Sequence, residues 1–177
     1  LLSSLHERDA GSYFSPDFAG ERIPTLEEVF STLGNTTFYN IELTNYATPY
    51  DPLPEIVIEL VQKYQLEKYV LFSSFLQLNL IRIHRLMPDA ALAILSLPGW
   101  KGFIARSGVG RRVSPRFIHP HFSSIHSHFI EHEHSQRRRV HAWTVNAKEK
   151  IDHLFALGID GVITDDPFLA FQLREAR

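Results

Sequence analysis

Short apolar runs alternate with longer segments of helical periodicity along almost the whole chain. Six of these runs are predicted as β-strands because they combine β-branched, aromatic and other apolar residues over a few positions. They cover residues 37–43, 68–73, 90–95, 116–119, 140–145 and 161–164. Helix-like segments separate them, and this strand–helix alternation predicts a parallel α/β architecture, either an open doubly wound sheet or a closed barrel.

The predicted helices carry start and stop signals. They cover residues 24–30, 54–64, 76–86, 122–136, 148–157 and 167–174. Pro24, Glu27 and Glu28 are typical of a helix start, and Gly158 is typical of a helix end. Residues 98–112 are glycine-rich and irregular, so they form either a long loop or a broken helix.

The number of strands distinguishes the two architectures. A closed (β/α)8 barrel needs eight strands and typically about 250 residues, whereas this chain has six predicted strands in 177 residues. It opens with a helix-like segment, residues 1–5, and has no initiator Met. We therefore expect residues 1–177 to form one domain, a partial TIM barrel from which the first two strands are missing.

Composition excludes little beyond a few classes. The 18 basic and 20 acidic residues give a formal net charge of −2, which argues against a protein that binds nucleic acid by bulk attraction. The absence of cysteine rules out disulfides and thiolate chemistry. No apolar run is long enough to cross a bilayer, and the sequence contains no signal peptide, so a cytoplasmic location is the expectation.

Polar residues follow several of the predicted strands, at the edge where a parallel barrel carries its chemistry. They are Glu42, Ser74, Asn146, Asp165 and Asp166. From spacing alone, Glu42 is either a surface carboxylate or a ligand for a hard cation such as Mg²⁺, which needs further oxygen ligands. Asn146 either caps the next helix or touches substrate, and capping is the expected role of Asp165 and Asp166.

Several of these segments together resemble the glycerophosphodiester phosphodiesterase family. Asn40-Ile41-Glu42-Leu43 is similar to the family's N-I-E-[IL] strand, and Trp143-Thr144-Val145-Asn146 matches its W-T-V-N sequence. The remaining matches are Asp9-Ala10-Gly11, residues 18–28, Ser73-Ser74-Phe75 and residues 158–167, in the family's order and over nearly the whole chain.

The resemblance implies a TIM barrel that hydrolyses glycerophosphodiesters to glycerol 3-phosphate and an alcohol, with a bound divalent cation, Mg²⁺ or Ca²⁺. It implies that Glu42 is a metal ligand and that Trp143 lines the glycerol or leaving-group side of the site. Ser74 could hydrogen-bond a phosphate oxygen, with solvation in a loop as the equal alternative. The implied partner is a small-molecule glycerophosphodiester.

The chain departs from the family in two respects. It contains neither the H-R-G motif nor the H-D pair, so the two histidines that act as general acid and base, and two carboxylate ligands, have no counterpart in residues 1–177. Thr44 stands where the family often has Lys. We therefore expect residues 1–177 alone to be inactive, with no catalytic residue retained, and to self-associate through open barrel edges.

Two other functions stay open at this point. One is a barrel that binds a phosphate ligand without catalysis. The other is a zinc peptidase, because His128-Phe129-Ile130-Glu131-His132 fits the inverted H-x-x-E-H pattern, within a histidine-rich segment that looks like a solvated helix face. A flexible loop is the expected form of the glycine-rich segment, and its arginines are an alternative phosphate cradle: Arg106, Arg111, Arg112 and Arg116.

Overall fold

The computed structural model describes Ser4, Leu5 and residues 7–177. Within this part of the chain, one sheet contains six parallel strands that are neighbours in sequence order. The strands are β1 (Tyr39–Glu42), β2 (Val70–Ser74), β3 (Ala91–Ser96), β4 (Phe117–Pro120), β5 (Arg139–Ala142) and β6 (Gly161–Val162). All six predicted strands are confirmed. Strands β1, β2, β5 and β6 are one to three residues shorter than predicted, and β3 and β4 have the predicted length but are shifted by one residue.

Helices connect the strands in the right order for a βα barrel. They are α1 (Leu26–Leu33), α2 (Leu53–Lys63), α3 (Gln77–Leu86), α4 (Phe103–Arg106), α5 (Gly108–Val113), α6 (Ser127–Ser135), α7 (Lys148–Ala156) and α8 (Pro167–Glu175). Helix α1 begins with a capping box, in which the Thr25 hydroxyl accepts from the Glu28 N–H and the Glu28 carboxylate accepts from the Thr25 N–H. Gly158, at φ +81°, ends α7 as predicted.

The sheet curls into a half-barrel, which is an incomplete TIM barrel. In the part of the chain that the structure describes, β1 and β6 each pair with one neighbour only, so both sheet edges are open. The fold prediction is therefore confirmed. The predicted helical segment at residues 1–5 falls mostly on residues that the structure does not describe.

The hydrophobic core lies between the convex face of the sheet and the helices. Phe72, Ile118 and Val140 from the strands are fully buried there, against Phe30 and Ile151 from the helices. Since successive strand residues point to opposite faces, the intervening residues line the concave face. The concave face ends at the carboxyl edge of the sheet, where Glu42 lies.

Two predicted segments differ in detail. The glycine-rich residues 98–112 form a broken helix, with a 3₁₀ turn at Gly99–Gly102 followed by α4 and α5. The single helix predicted at residues 122–136 is wrong in its first turn, because Phe122–Ser124 is a 3₁₀ turn and α6 begins only at Ser127. Over the described residues, no helix combines the length and apolar character that crossing a membrane would need.

Candidate active site

Glu42 lies at the carboxyl end of β1 with its side chain exposed. The Tyr46 hydroxyl donates a hydrogen bond to Glu42 Oε1 at 2.9 Å, and among the described residues no donor bonds to Oε2. Burial, and then the adjacent Glu42 carboxylate, raise the pKa of Tyr46 above its ordinary value, so the hydroxyl stays protonated and available as a donor. Tyr46 therefore fixes one oxygen of Glu42 and leaves the other accessible.

The donor set around Glu42 bears on whether a divalent cation fits there. An exposed carboxylate with a free oxygen is a suitable ligand for Mg²⁺ or Ca²⁺, which take oxygen ligands. Within the described residues, no group of three or more His, Cys, Asp and Glu side chains is placed to hold a metal ion. Glu42 therefore fits as one ligand of such a cation, without a complete set of His, Cys, Asp or Glu ligands beside it among the described residues.

Ser74 is buried at the end of β2 and fully engaged in internal bonds. Its hydroxyl donates to the Leu43 carbonyl at 2.8 Å and accepts from the Leu76 N–H at 3.1 Å and from Asn79 Nδ2 at 3.2 Å. These bonds tie the ends of β1 and β2 to the start of α3. Ser74 therefore stabilises the carboxyl edge of the sheet. Its contact with substrate stays a prediction.

Ser73, which sequence reasoning passed over, shares a face with Glu42. The two residues are paired in register across β1 and β2. The Ser73 side chain is fully buried, and its hydroxyl has no hydrogen-bond partner among the described residues. The alternation of side chains along β2 was the signal that would have selected Ser73 over Ser74 for the concave face.

An aromatic wall extends from Glu42 across the carboxyl edge, formed by Tyr46, Phe75, Trp143 and His121. Their ring centroids are 6.1 Å apart for Tyr46–Phe75, 5.5 Å for Phe75–Trp143 and 5.0 Å for Trp143–His121. The Trp143 indole N–H donates to the His119 carbonyl at 2.7 Å, which fixes the ring. The structure thus brings Trp143 to the same edge as Glu42, although 101 positions separate them in sequence.

Asn146 and Asp165 join the loops that follow β5 and β6. Asn146 Nδ2 donates to Asp165 Oδ2 at 2.6 Å, and Asn146 Oδ1 accepts from the Asp165 N–H at 3.0 Å. Helix α7 begins after Ala147 without a side-chain cap, so the capping alternative is wrong for Asn146. The N-cap residue of α8 is Asp166, so capping is wrong for Asp165. It is confirmed for Asp166, whose carboxylate accepts from the Leu169 N–H at the start of α8.

The arginines of the glycine-rich segment do not converge on one site. Arg106 reaches Ser96 Oγ at 3.0 Å and the Leu97 carbonyl at 2.8 Å, near the carboxyl end of β3. Arg116 donates instead to the carbonyls of Asp89 and Ala90, near the amino end of that strand. The two side chains therefore lie at opposite ends of β3. The interpretation of these arginines as one phosphate cradle is wrong.

A second feature that the sequence did not reveal is a pair of stacked histidines on the concave face, below the aromatic wall. His119 and His141 have ring centroids 5.0 Å apart and an interplanar angle of 28°. His119 is fully buried, and neither ring nitrogen has a partner among the described residues. His141 packs against the backbone of β6, where a Cβ on Gly161 would lie 2.9 Å from its ring.

Burial, and then the neighbouring His141 and Arg138, lower the pKa of His119 from its ordinary 6.5 to about 3. At a pH between these two pKa values, His119 is protonated in the unfolded chain and neutral in the folded chain. Stability is therefore lost as the pH falls from about 6.5 towards 3, by about 2 kcal/mol between pH 7 and pH 5.

We expect His119→Leu to remove that part of the pH dependence and to be at least as stable at pH 7, because it replaces an unpartnered polar ring. Urea unfolding at pH 7 and pH 5 measures the pH dependence of the free energy of unfolding. His153→Gln, on the exposed face of α7, is the matched control. Equal pH dependence in the wild type and His119→Leu would contradict the prediction.

The family model described as the glycerophosphoryl diester phosphodiesterase family matches residues 2–169. A glycerophosphodiester phosphodiesterase from Caldanaerobacter subterraneus is 32% identical over 167 residues, covering 94% of this chain and 68% of that protein. One from Bacillus altitudinis is 31% identical over 176 residues, covering 97% of this chain and 70% of that protein.

Among solved structures, an Oleispira antarctica phosphodiesterase in complex with the product sn-glycerol-3-phosphate superposes with a TM-score of 0.83 at 24% identity. The superposition covers 99% of this chain and 70% of that one, and it supports the fold assignment. The chain thus spans about two-thirds of the length of each of these three proteins.

Proposed function

Because the chain belongs to the glycerophosphoryl diester phosphodiesterase family, a family of phosphoric diester hydrolases, we propose that the protein hydrolyses glycerophosphodiesters to glycerol 3-phosphate and an alcohol. The observation that carries the proposal is the position of Glu42. This exposed carboxylate lies at the carboxyl edge of the half-barrel and is continuous with an aromatic wall that contains Trp143. The aromatic wall is an open apolar surface, and the Glu42 carboxylate lies next to it. This arrangement suits a small molecule with a phosphate and an alcohol group.

Glu42 would hold a divalent cation, Mg²⁺ or Ca²⁺, together with ligands from outside residues 1–177. Such a cation, when bound, polarises the phosphate and neutralises developing charge. The Tyr46 hydroxyl orients the Glu42 carboxylate by its hydrogen bond to Oε1. General acid and base histidines are implied by the resemblance, in the H-R-G and H-D segment that this chain does not contain.

Trp143 would bound the glycerol or alcohol side of the site and exclude water there. Its indole N–H is already donated to the His119 carbonyl, so the ring offers its apolar surface to a ligand rather than a hydrogen bond. Ser74 would act through the position of the β1 and β2 ends, which its three hydrogen bonds fix.

The zinc-peptidase alternative is not favoured. His128, Glu131 and His132 lie on the exposed face of α6, and His132 contacts Arg111 at 3.3 Å. The family match covers this helix as part of a phosphodiesterase barrel. A cytoplasmic location and self-association through the open edges of β1 and β6 both stay predictions.

The test compares residues 1–177 with a full-length protein, meaning residues 1–177 preceded by an H-R-G and H-D segment of the family, each incubated with glycerophosphocholine. We expect the full-length protein to release glycerol 3-phosphate and choline, and residues 1–177 alone to release neither above background. Release of phosphocholine and glycerol would place cleavage at the other ester bond. Turnover by residues 1–177 alone would show that the acid and base lie within them.

A further inference from the structure

We propose that His121 is a substrate-binding residue of this site, whose Nε2–H donates a hydrogen bond to a non-bridging phosphate oxygen of the phosphodiester. This inference rests on the proposed function, because it assumes a phosphodiester at the carboxyl edge. Its basis is the set of donors on the aromatic wall, together with the local bonds that fix the imidazole.

The position of His121 puts it on the same face as the other wall residues. It directly follows β4, and its backbone forms a parallel bridge with Trp143, which directly follows β5. The two rings meet edge to face, 5.0 Å apart and at 81°. The side chain is only half-buried. The imidazole therefore forms the end of the aromatic wall opposite to Glu42.

The hydrogen bonds around His121 determine its tautomer. Its Nδ1 accepts from the backbone N–H of Ser123 at 3.3 Å and lies 2.8 Å from the Ser123 hydroxyl. A backbone N–H can only donate, so Nδ1 carries no proton and the neutral ring is protonated at Nε2. The turn at Phe122–Ser124 thus holds the His121 ring through Nδ1, and the Nε2–H lies on the side of the ring away from this turn.

The other hydrogen-bond donors of the aromatic wall already donate to groups of the protein. The wall side chains include three N–H or O–H donors, which belong to Tyr46, Trp143 and His121. Tyr46 donates to Glu42, and Trp143 donates to the His119 carbonyl. Among the described residues nothing is recorded on Nε2 of His121, so this is the one wall donor that remains for a ligand.

A phosphodiester is the ligand chemistry that this donor suits. Its non-bridging oxygens carry a negative charge, and N–H donors to charged oxygens make stronger bonds than those between neutral groups. Thr44, two positions after Glu42, has no charge to offer a phosphate. Because the sheet curls between β1 and β4, a phosphate over its concave face would lie between a cation held by Glu42 and this N–H, and a neutral donor does not compete with the cation.

The test uses two substitutions in the full-length protein that share only the loss of the Nε2 donor. His121→Asn keeps an acceptor for the Ser123 N–H, whereas His121→Phe keeps an aromatic ring against Trp143. We expect both to raise KM for glycerophosphocholine about tenfold or more, with kcat changed less than threefold, because the bond exists in the ground state and the transition state alike. The inhibition constant of glycerol 3-phosphate should rise by a similar factor.

The matched control is His126→Asn. The His126 Nδ1 accepts from the Phe129 N–H at 3.2 Å at the start of α6, so it caps a helical turn in the same way, but it makes no recorded contact with the wall. It should leave KM unchanged. Wild-type release with KM unaltered in both His121 variants would overturn this inference alone, whereas no wild-type release would overturn it together with the proposed function.

Discussion

Glu42→Gln should abolish turnover of glycerophosphocholine by the full-length protein, with a loss of about 100-fold or more in kcat/KM. The substitution keeps the shape of the side chain and an acceptor for the Tyr46 hydroxyl, so the fold at the end of β1 should be unchanged. It removes the negative charge that would hold a divalent cation, and a cation contributes several kcal/mol to charge stabilisation in such reactions.

Steady-state kinetics and calorimetric titration with Mg²⁺ and Ca²⁺ measure the effect of Glu42→Gln on both turnover and cation affinity. Glu149→Gln is the matched control, since Glu149 is an exposed carboxylate in the first turn of α7, away from the carboxyl edge of β1. A Glu42→Gln variant with unchanged turnover and unchanged cation affinity would show that Glu42 is a surface carboxylate.

Arg138→Met should lower the free energy of unfolding by about 3–5 kcal/mol, because it leaves the carboxylate of Glu133 buried without its cation. Arg138 and Glu133 are 0% and 1% exposed, and Arg138 Nη1 lies 3.2 Å from Glu133 Oε2. Arg138 Nε also donates to the Phe117 carbonyl at 3.1 Å. The pair therefore ties α6 to β4 in the interior.

The double variant Arg138→Met/Glu133→Leu should recover most of that loss, because it leaves no buried charge behind. Arg139→Met is the matched control, since Arg139 is exposed and its side chain makes no recorded hydrogen bond among the described residues; it should change stability by about 0.5 kcal/mol or less. Urea unfolding measures all three variants. A double variant no more stable than Arg138→Met would contradict this account of the pair.

The fold was predictable from local patterns, whereas the site was predictable only in part. Strand–helix alternation and turn residues such as Gly158 predict each strand of the half-barrel. The motif resemblance brought Glu42 and Trp143 into consideration, and both lie at the carboxyl edge. These predictions succeed because strand identity and strand order together determine which residues share an edge of a parallel sheet.

Contacts between strands were beyond the sequence because they depend on register. The stack of His119 on His141 joins residues 22 positions apart, and only the pairing of β4 with β5 brings them together. Asn146 shows the same limit, since the local rule favours a helix cap but a bond to Asp165 on the next loop prevails. His121 carries no local signal of its own, and its place on the aromatic wall depends on its ring contact with Trp143 from the neighbouring strand.

The most direct test of metal-dependent phosphodiester hydrolysis is the release of glycerol 3-phosphate from glycerophosphocholine by the full-length protein, measured before EDTA, after EDTA, and after restoring Mg²⁺ or Ca²⁺. We predict release that EDTA stops and that one of the two cations restores. Undiminished release in excess EDTA, or no release under any of the three conditions, would contradict it.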